Sequence, residues 1–163
     1  MRTLSVDVSQ SRSTVYGNVE EFPTSETSPL NPMSPYALQK LIGEQYCKLF
    51  SELYGIETTC LRYFNVYGER QLLEGAYCLV MGKFAQQRLA GKPMTIRGDG
   101  EQRRDFTYVG DVVEANMLAA TNTEMYGDGI KCRAFNIGNG ENRSVNELAE
   151  VIVTGKQIGR AHV

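Results

Sequence analysis

Histidine is almost missing from this chain. The single one, His162, stands at the extreme end of 163 residues, so no metal site is expected. The four cysteines, Cys47, Cys60, Cys78 and Cys132, are scattered and form no C-x-x-C pair. Three of them lie in apolar stretches, which implies reduced, partly buried thiols in a cytoplasmic protein. No apolar run approaches the ~18–20 residues of a membrane helix. The opening MRTLSVDVSQSRS has no apolar core of a secretory signal, so no membrane partner is expected. Basic residues number 17 against 19 acidic, for a net charge of −2. That balance lacks the basic excess of a nucleic-acid binder. What remains is a globular composition, 42% hydrophobic and 22% charged, long enough for one domain with a real core.

Helix-like and strand-like segments alternate along the chain. Residues 1–8 read as an entering strand and 22–33, rich in Pro, Thr, Ser and Asn, as a loop. Ser34-Pro35 is a helix start, with Ser34 as N-cap and Pro35 in the first turn. Leu38, Leu41, Ile42, Tyr46, Leu49, Phe50 and Leu53 then recur at helical spacing until Gly55 ends the run. A strand is predicted over Ile56–Phe64, a helix near Leu79–Ala90, a short strand over Pro93–Ile96 and a turn at Gly98-Asp99-Gly100. A helix near Asp111–Ala120 and a strand over Ala134–Ile137 follow. The last helix starts at Ser144, whose S-x-x-E pattern with Glu147 is a capping box. This alternation predicts an α/β fold with a mainly parallel sheet.

The first chemical signal is Tyr36-Ala-Leu-Gln-Lys40. Tyrosine and lysine four apart share one helix face. An ammonium beside a phenol favours the phenolate over its ordinary pKa near ~10, which suits a tyrosine to general acid–base work near neutral pH. Alone the pair is weak. With nine tyrosines in the chain, an aromatic anchor beside a solvated lysine is the ordinary reading.

Its surroundings change that reading. Ser13-Thr-Val-Tyr-Gly17, Ser34-Pro-Tyr-Ala-Leu-Gln-Lys40, Leu61-Arg-Tyr-Phe-Asn-Val-Tyr-Gly68, the stretch Gly98 to Val109 with its Arg-Arg-Asp-Phe core, Phe135-Asn-Ile-Gly-Asn-Gly140 and Ser144-Val-Asn-Glu-Leu148 occur in this order. Together they resemble the extended short-chain dehydrogenase/reductases, in particular the NAD-dependent nucleotide-sugar epimerases and dehydratases, from about Ser11 to Ile152. The resemblance implies roles. Tyr36 matches the acid/base tyrosine and Lys40 the lysine that holds the nicotinamide ribose. Tyr63 falls at the nicotinamide end of NAD, and Asn65 at the nucleotide-sugar diphosphate. Arg104 matches the arginine that pairs with the diphosphate, a task suited to a forked guanidinium. Val80 and Ile96 fall where the nucleotide pocket is lined. Plain core is the competing reading of Tyr63, Val80 and Ile96, and an ion pair with Asp105 or Asp111 that of Arg104.

Tyr67-Gly68, Glu69-Arg70-Gln71 and Gly75-Ala-Tyr77 look most like the UDP-sugar 4-epimerases. The implied activity is 4-epimerisation of a UDP-sugar with recycled NAD. Other NAD-dependent reactions on nucleotide sugars (dehydratase, decarboxylase, reductase) and a non-catalytic nucleotide-sugar-binding relative are the alternatives. A homodimer is expected through the helix from Ser34, which is apolar on more than one face.

Two departures stand out. The family's catalytic Ser/Thr position falls at Arg12, so Ser13, one residue on, is taken as the catalytic hydroxyl. An arginine cannot accept a hydrogen bond there. The dinucleotide fingerprint, G-x-x-G-x-x-G or G-x-G-x-x-G after a strand, is nowhere in the chain. Gly98-Asp-Gly100 and Gly138-Asn-Gly140 are read as turns. The expectation is thus a fragment, inactive alone, of a longer enzyme. Residues 1–67 would form the carboxyl-side part of its NAD-binding Rossmann domain. Residues 68–152 would be mostly substrate-binding domain with returning Rossmann elements. Residues 153–163 are set aside as a non-native tail, since Ile158–Val163 is what a common sequencing-adapter DNA would encode before a stop codon.

Overall fold

The computed structural model describes residues 3–7, 15–19, 21–75, 78–121 and 132–154, the first five by their backbone. Three parallel strands form the main sheet in the order β1 (Thr3–Asp7), β2 (Glu57–Tyr63), β6 (Cys132–Ile137). The register runs Thr3↔Glu57 to Asp7↔Leu61 on one side and Thr58↔Cys132 to Tyr63↔Ile137 on the other. β2, in the middle, is buried at every position, as a parallel strand covered on both faces must be. Two small pairs complete the strands: β3 (Asn65–Tyr67) parallel to β5 (Phe106–Tyr108), and β4 (Arg103–Arg104) antiparallel to β7 (Arg143–Ser144).

Strand alternation deals the side chains of β2 to two layers. Thr58, Cys60 and Arg62 face helix α1 (Pro35–Tyr54), where Cys60 packs with Cys47, Val15, Tyr16 and Phe64. Leu61 and Tyr63 face helix α3 (Val109–Thr121) and pack on Val112, Ala115 and Ala119. A third core lies between helices α2 (Val80–Leu89) and α4 (Val145–Thr154), around Phe84, Phe106, Val145 and Leu148. All four cysteines are free thiols, three of them buried. No helix among the described residues is long and apolar enough to cross a membrane.

The helix ends follow the sequence signals. Ser34 accepts the Ala37 N–H at 3.1 Å, and Pro35 opens α1. Gly55 closes it in the left-handed region at φ 67°, donating its N–H to Ser51. The capping box of α4 closes in both directions: the Glu147 N–H meets Ser144 Oγ at 3.1 Å, and the Ser144 N–H meets Glu147 Oε2 at 3.1 Å.

One element differs from expectation. Pro93–Ile96 is not a strand. Met94 and Ile96 do point alternately into the third core, which produces the strand-like pattern. The Thr95 N–H and hydroxyl, however, bond the Gln87 side chain at 3.0 and 2.9 Å, so this segment is clamped to α2 instead of to a strand. Gly82 sits inside α2 because a Cβ there would lie 2.5 Å from the Leu72 carbonyl oxygen.

The reciprocal cap generates a stability prediction. Replacing Ser144 with Ala should destabilise the chain by about 1 kcal/mol, read from urea unfolding. The Glu147 half of the box has its own signature. The Ser144 N–H, and then Arg103, hold the Glu147 carboxyl below its ordinary value. Its contribution is therefore present at neutral pH and is lost as pH falls through that depressed value.

Candidate functional site

Two groups of candidate residues stand on different supports. The first is at the start of α1, where the helix period puts Tyr36 and Lys40 on one face. The Lys40 ammonium lies 5.5 Å from the centroid of the Tyr36 ring, in cation–π range. Tyr36 is 44% exposed, and Lys40 is half-buried beside it. Ser13 and Arg12 lie outside the described residues.

The second group surrounds a cavity of about 270 Å³ beneath α2. Asn65, Val80 and Arg104 all line it, so three residues far apart in sequence meet in one place. Asn65 is held by Asp105, whose carbonyl oxygen accepts both its backbone N–H at 3.1 Å and its Nδ2 at 2.9 Å. Arg104 Nη1 donates to the Arg103 carbonyl at 2.7 Å. Lys83 and Arg97 line the same cavity. Three cations round one small space are a donor set chemically suited to a doubly charged anion. Spacing alone did not reveal Lys83 and Arg97. They come from a helix and a turn whose meeting the tertiary fold decides.

Ile96 and Tyr63 are placed differently. Ile96 packs into the third core between its cavity-lining neighbours Thr95 and Arg97. Tyr63 is 7% exposed in the α3 layer, and its hydroxyl accepts from Asn116 Nδ2 at 2.7 Å. Phe64, the next residue, packs instead with Val15 and Tyr16 on the α1 side.

Asp105 organises the loop after β6. Its two carboxylate oxygens accept the N–H groups of Asn139 at 2.8 Å and Gly140 at 2.9 Å. Burial pushes the Asp105 carboxyl above its ordinary value, against the downward pull of those two N–H bonds. The consequence is chemical: the amides that a glycine-rich loop would offer a phosphate are already engaged. Gly98-Asp-Gly100 is tied differently: the Gly100 carbonyl accepts the Asn146 N–H at 3.1 Å, and Asp99 Oδ1 accepts the Glu101 N–H at 3.0 Å. Both glycine pairs are structural turns.

The residues therefore fit one end of a dinucleotide. Tyr36 and Lys40 offer a hydroxyl and an ammonium, the donor set that a ribose and its attached ring require. The Asn139 and Gly140 amides, which a phosphate would need, are committed to Asp105. A parallel sheet layered by helices, with this pair on the helix between β1 and β2, places the chain in the Rossmann-type α/β class.

The chain belongs to the NAD dependent epimerase/dehydratase family, whose model matches residues 1–138. It is 38% identical over 138 residues to the UDP-glucose 4-epimerase of Mycolicibacterium smegmatis, covering 85% of this chain and 42% of that protein. It is also 38% identical over 117 residues to a UDP-N-acetyl-alpha-D-glucosaminuronate decarboxylase of Bacillus cytotoxicus, covering 72% and 34%. Among solved structures, the UDP-N-acetylglucosamine 4-epimerase of Methanobrevibacter ruminantium M1, in complex with UDP-N-acetylmuramic acid, superposes with a TM-score of 0.81. The identity is 39%, over 92% of this chain and 46% of that one. The chain thus spans less than half the length of these relatives.

The role of Asp105 can be tested directly. Asp105→Ala leaves two backbone N–H groups without their acceptor, so the chain should lose about 1–3 kcal/mol in thermal unfolding. A loss below about 0.5 kcal/mol, the level of an ordinary surface substitution, would mean that water replaces the carboxylate.

Proposed function

We propose that the protein containing this chain is a UDP-sugar 4-epimerase with tightly bound NAD. The observation that carries this reading is the exposed Tyr36 with the Lys40 ammonium 5.5 Å from its ring centroid. The cation-lined cavity holding Asn65 and Arg104 supports it. Tyr36 takes the proton of the sugar 4-hydroxyl and later returns it, with Ser13 as the hydroxyl that relays it. Lys40 holds the nicotinamide ribose and, by its charge, favours the phenolate of Tyr36. Tyr63 backs the nicotinamide end from within the α3 layer. Asn65 and Arg104 bind the diphosphate, while Val80 and Ile96 wall the nucleotide side. When bound, NAD supplies a hydride acceptor at sugar C4 that gives the hydride back to the opposite face, so no net redox results.

Residues 1–67, with β6 returning beside them, belong in this reading to the cofactor side. Residues 68–152 are mostly substrate side. The protein works in the cytoplasm, consistent with its free thiols. A nucleotide-sugar decarboxylase is the second reading, favoured by the Bacillus cytotoxicus relative.

The test uses the full-length protein with UDP-glucose and UDP-galactose. Interconversion is expected, and Tyr36→Phe should lower kcat on the order of 10²–10⁴-fold while NAD stays bound. Carbon dioxide release from a UDP-uronic acid without interconversion would select the decarboxylase. Binding of the UDP-sugar with no turnover would leave a non-catalytic relative.

A homodimer through α1 is part of the proposal. Leu38, Ile42, Tyr46, Leu49 and Leu53 form a strip along the helix, each 43–64% exposed. An apolar strip of this kind calls for a covering surface. Sedimentation equilibrium of the full-length protein should give a dimer, with Tyr46→Lys shifting it toward monomer. A wild-type protein that stays monomeric at all concentrations would remove the dimer.

A further inference from the structure

A buried charged network outside the assigned site joins helix α1, which bears Tyr36, to the chain around Tyr16. Arg62, on β2, is 6% exposed. Its Nε and Nη2 grip the Glu44 carboxylate as a fork, at 2.8 and 2.6 Å. Its Nη1 donates to the Tyr16 hydroxyl at 2.6 Å and to the Glu26 carbonyl at 3.2 Å. The Tyr16 hydroxyl in turn donates to Asn136 Oδ1 at 2.6 Å. Asn136, on β6, donates its N–H to Glu26 Oε1 and its Nδ2 to the Thr24 carbonyl, both at 2.8 Å. One guanidinium therefore touches α1, the chain around Tyr16 and the 21–28 loop.

The face of α1 turned to the sheet explains why such a clamp is needed. Its buried residues are Ala37, Glu44, Cys47 and Ser51, all small or polar. Leu41, only half-buried, is the one large apolar side chain that α1 packs against this core, which leaves interdigitation weak. Directional bonds fix the helix instead: Ser51 Oγ to Thr58 Oγ1 at 2.8 Å near the C-terminal end, and Glu44 to Arg62 in the middle. Glu44 is one turn beyond Lys40 and two beyond Tyr36, so it is the ion pair nearest the candidate pair on their own helix strip. Tyr16 lies three residues after Ser13.

We infer that Arg62 is a positioning residue. Through Glu44 it sets the rotation and axial register of α1, and through Tyr16 it sets the chain at residues 15–17. It thereby fixes the placement of Tyr36 relative to the chain around Tyr16 without touching substrate or cofactor. The consequence for turnover rests on the epimerase reading; the clamp itself does not. Tyr16→Phe removes one hydroxyl and keeps the ring, while Glu44→Gln keeps the shape of the side chain and removes its charge. Both are made in the full-length protein.

Hydrogen–deuterium exchange reads the clamp independently of activity. Tyr16→Phe should raise exchange in residues 36–44, and Glu44→Gln should raise it in residues 15–17, each far from the substitution in sequence. Exchange that rises only beside the substituted residue overturns the inference. In turnover, kcat per NAD-loaded subunit should fall on the order of 10- to 100-fold, the scale of a small misplacement of a reacting group. KM for the UDP-sugar should change less than about threefold, because ground-state binding is untouched. A lowered Tm with unchanged kcat in both variants also overturns it, since that is the behaviour of a purely structural network. If the wild-type protein shows no epimerase turnover, the functional reading falls and the exchange experiment alone decides the clamp.

Discussion

Every residue from Glu57 to Tyr63 is buried, so strand β2 must satisfy its polar side chains from the layers packed on it. Much of the structure follows from that requirement. Thr58 finds Ser51, and Arg62 finds Glu44 and Tyr16. Burial by itself would depress the Arg62 pKa, but the Glu44 carboxylate and the Tyr16 hydroxyl more than offset it, and the net shift is upward. The group stays charged wherever the protein is folded. A pair of this kind contributes little net stability compared with an apolar substitute, yet losing one partner strands the other charge in the core. Its value lies in direction, because a forked pair tolerates little rotation of the helix that carries it.

The two candidate groups divide the chemistry between surfaces of different character. Tyr36, exposed, and Lys40, half-buried, stand on a long helix whose register is held from below. The cavity with Asn65 and Arg104 is assembled from β3, α2 and the 95–104 segment, and Asp105 holds its floor. Asp105 works in two directions. Its carbonyl orients Asn65, and its carboxylate pins the loop after β6. That second engagement explains how a glycine-rich loop can follow a parallel strand without forming a phosphate cradle: its donors already have an anion.

Legibility followed the range of the forces involved. α1 was readable because its signals are local: Ser34, Pro35 and Gly55 act within one turn of the helix ends. The capping box of Ser144 and Glu147 is local too, and both bonds are present. β3 and β5 were not readable, since three residues are too few to display a period of two. Pro93–Ile96 shows the reverse error: alternation arose from packing into a core, while the backbone bond went to Gln87. For the candidate site, Tyr36 and Lys40 could be paired from helix geometry alone, whereas Lys83 and Arg97 belong to the cavity only because α2 folds over the 95–104 segment.

The amino-acid sequence by itself determined the α/β alternation, the helix ends, the Tyr36–Lys40 pair and the family, because these depend on neighbours within a few residues or on the order of motifs. Tertiary structure alone decided which face of β2 each residue serves, which cations share a cavity and what Arg62 holds. Arg62 and Tyr16 are 46 positions apart, and Tyr16 and Asn136 are 120 apart. Bonds of that span exist only after strands far apart in the chain have paired, so no local pattern can announce them.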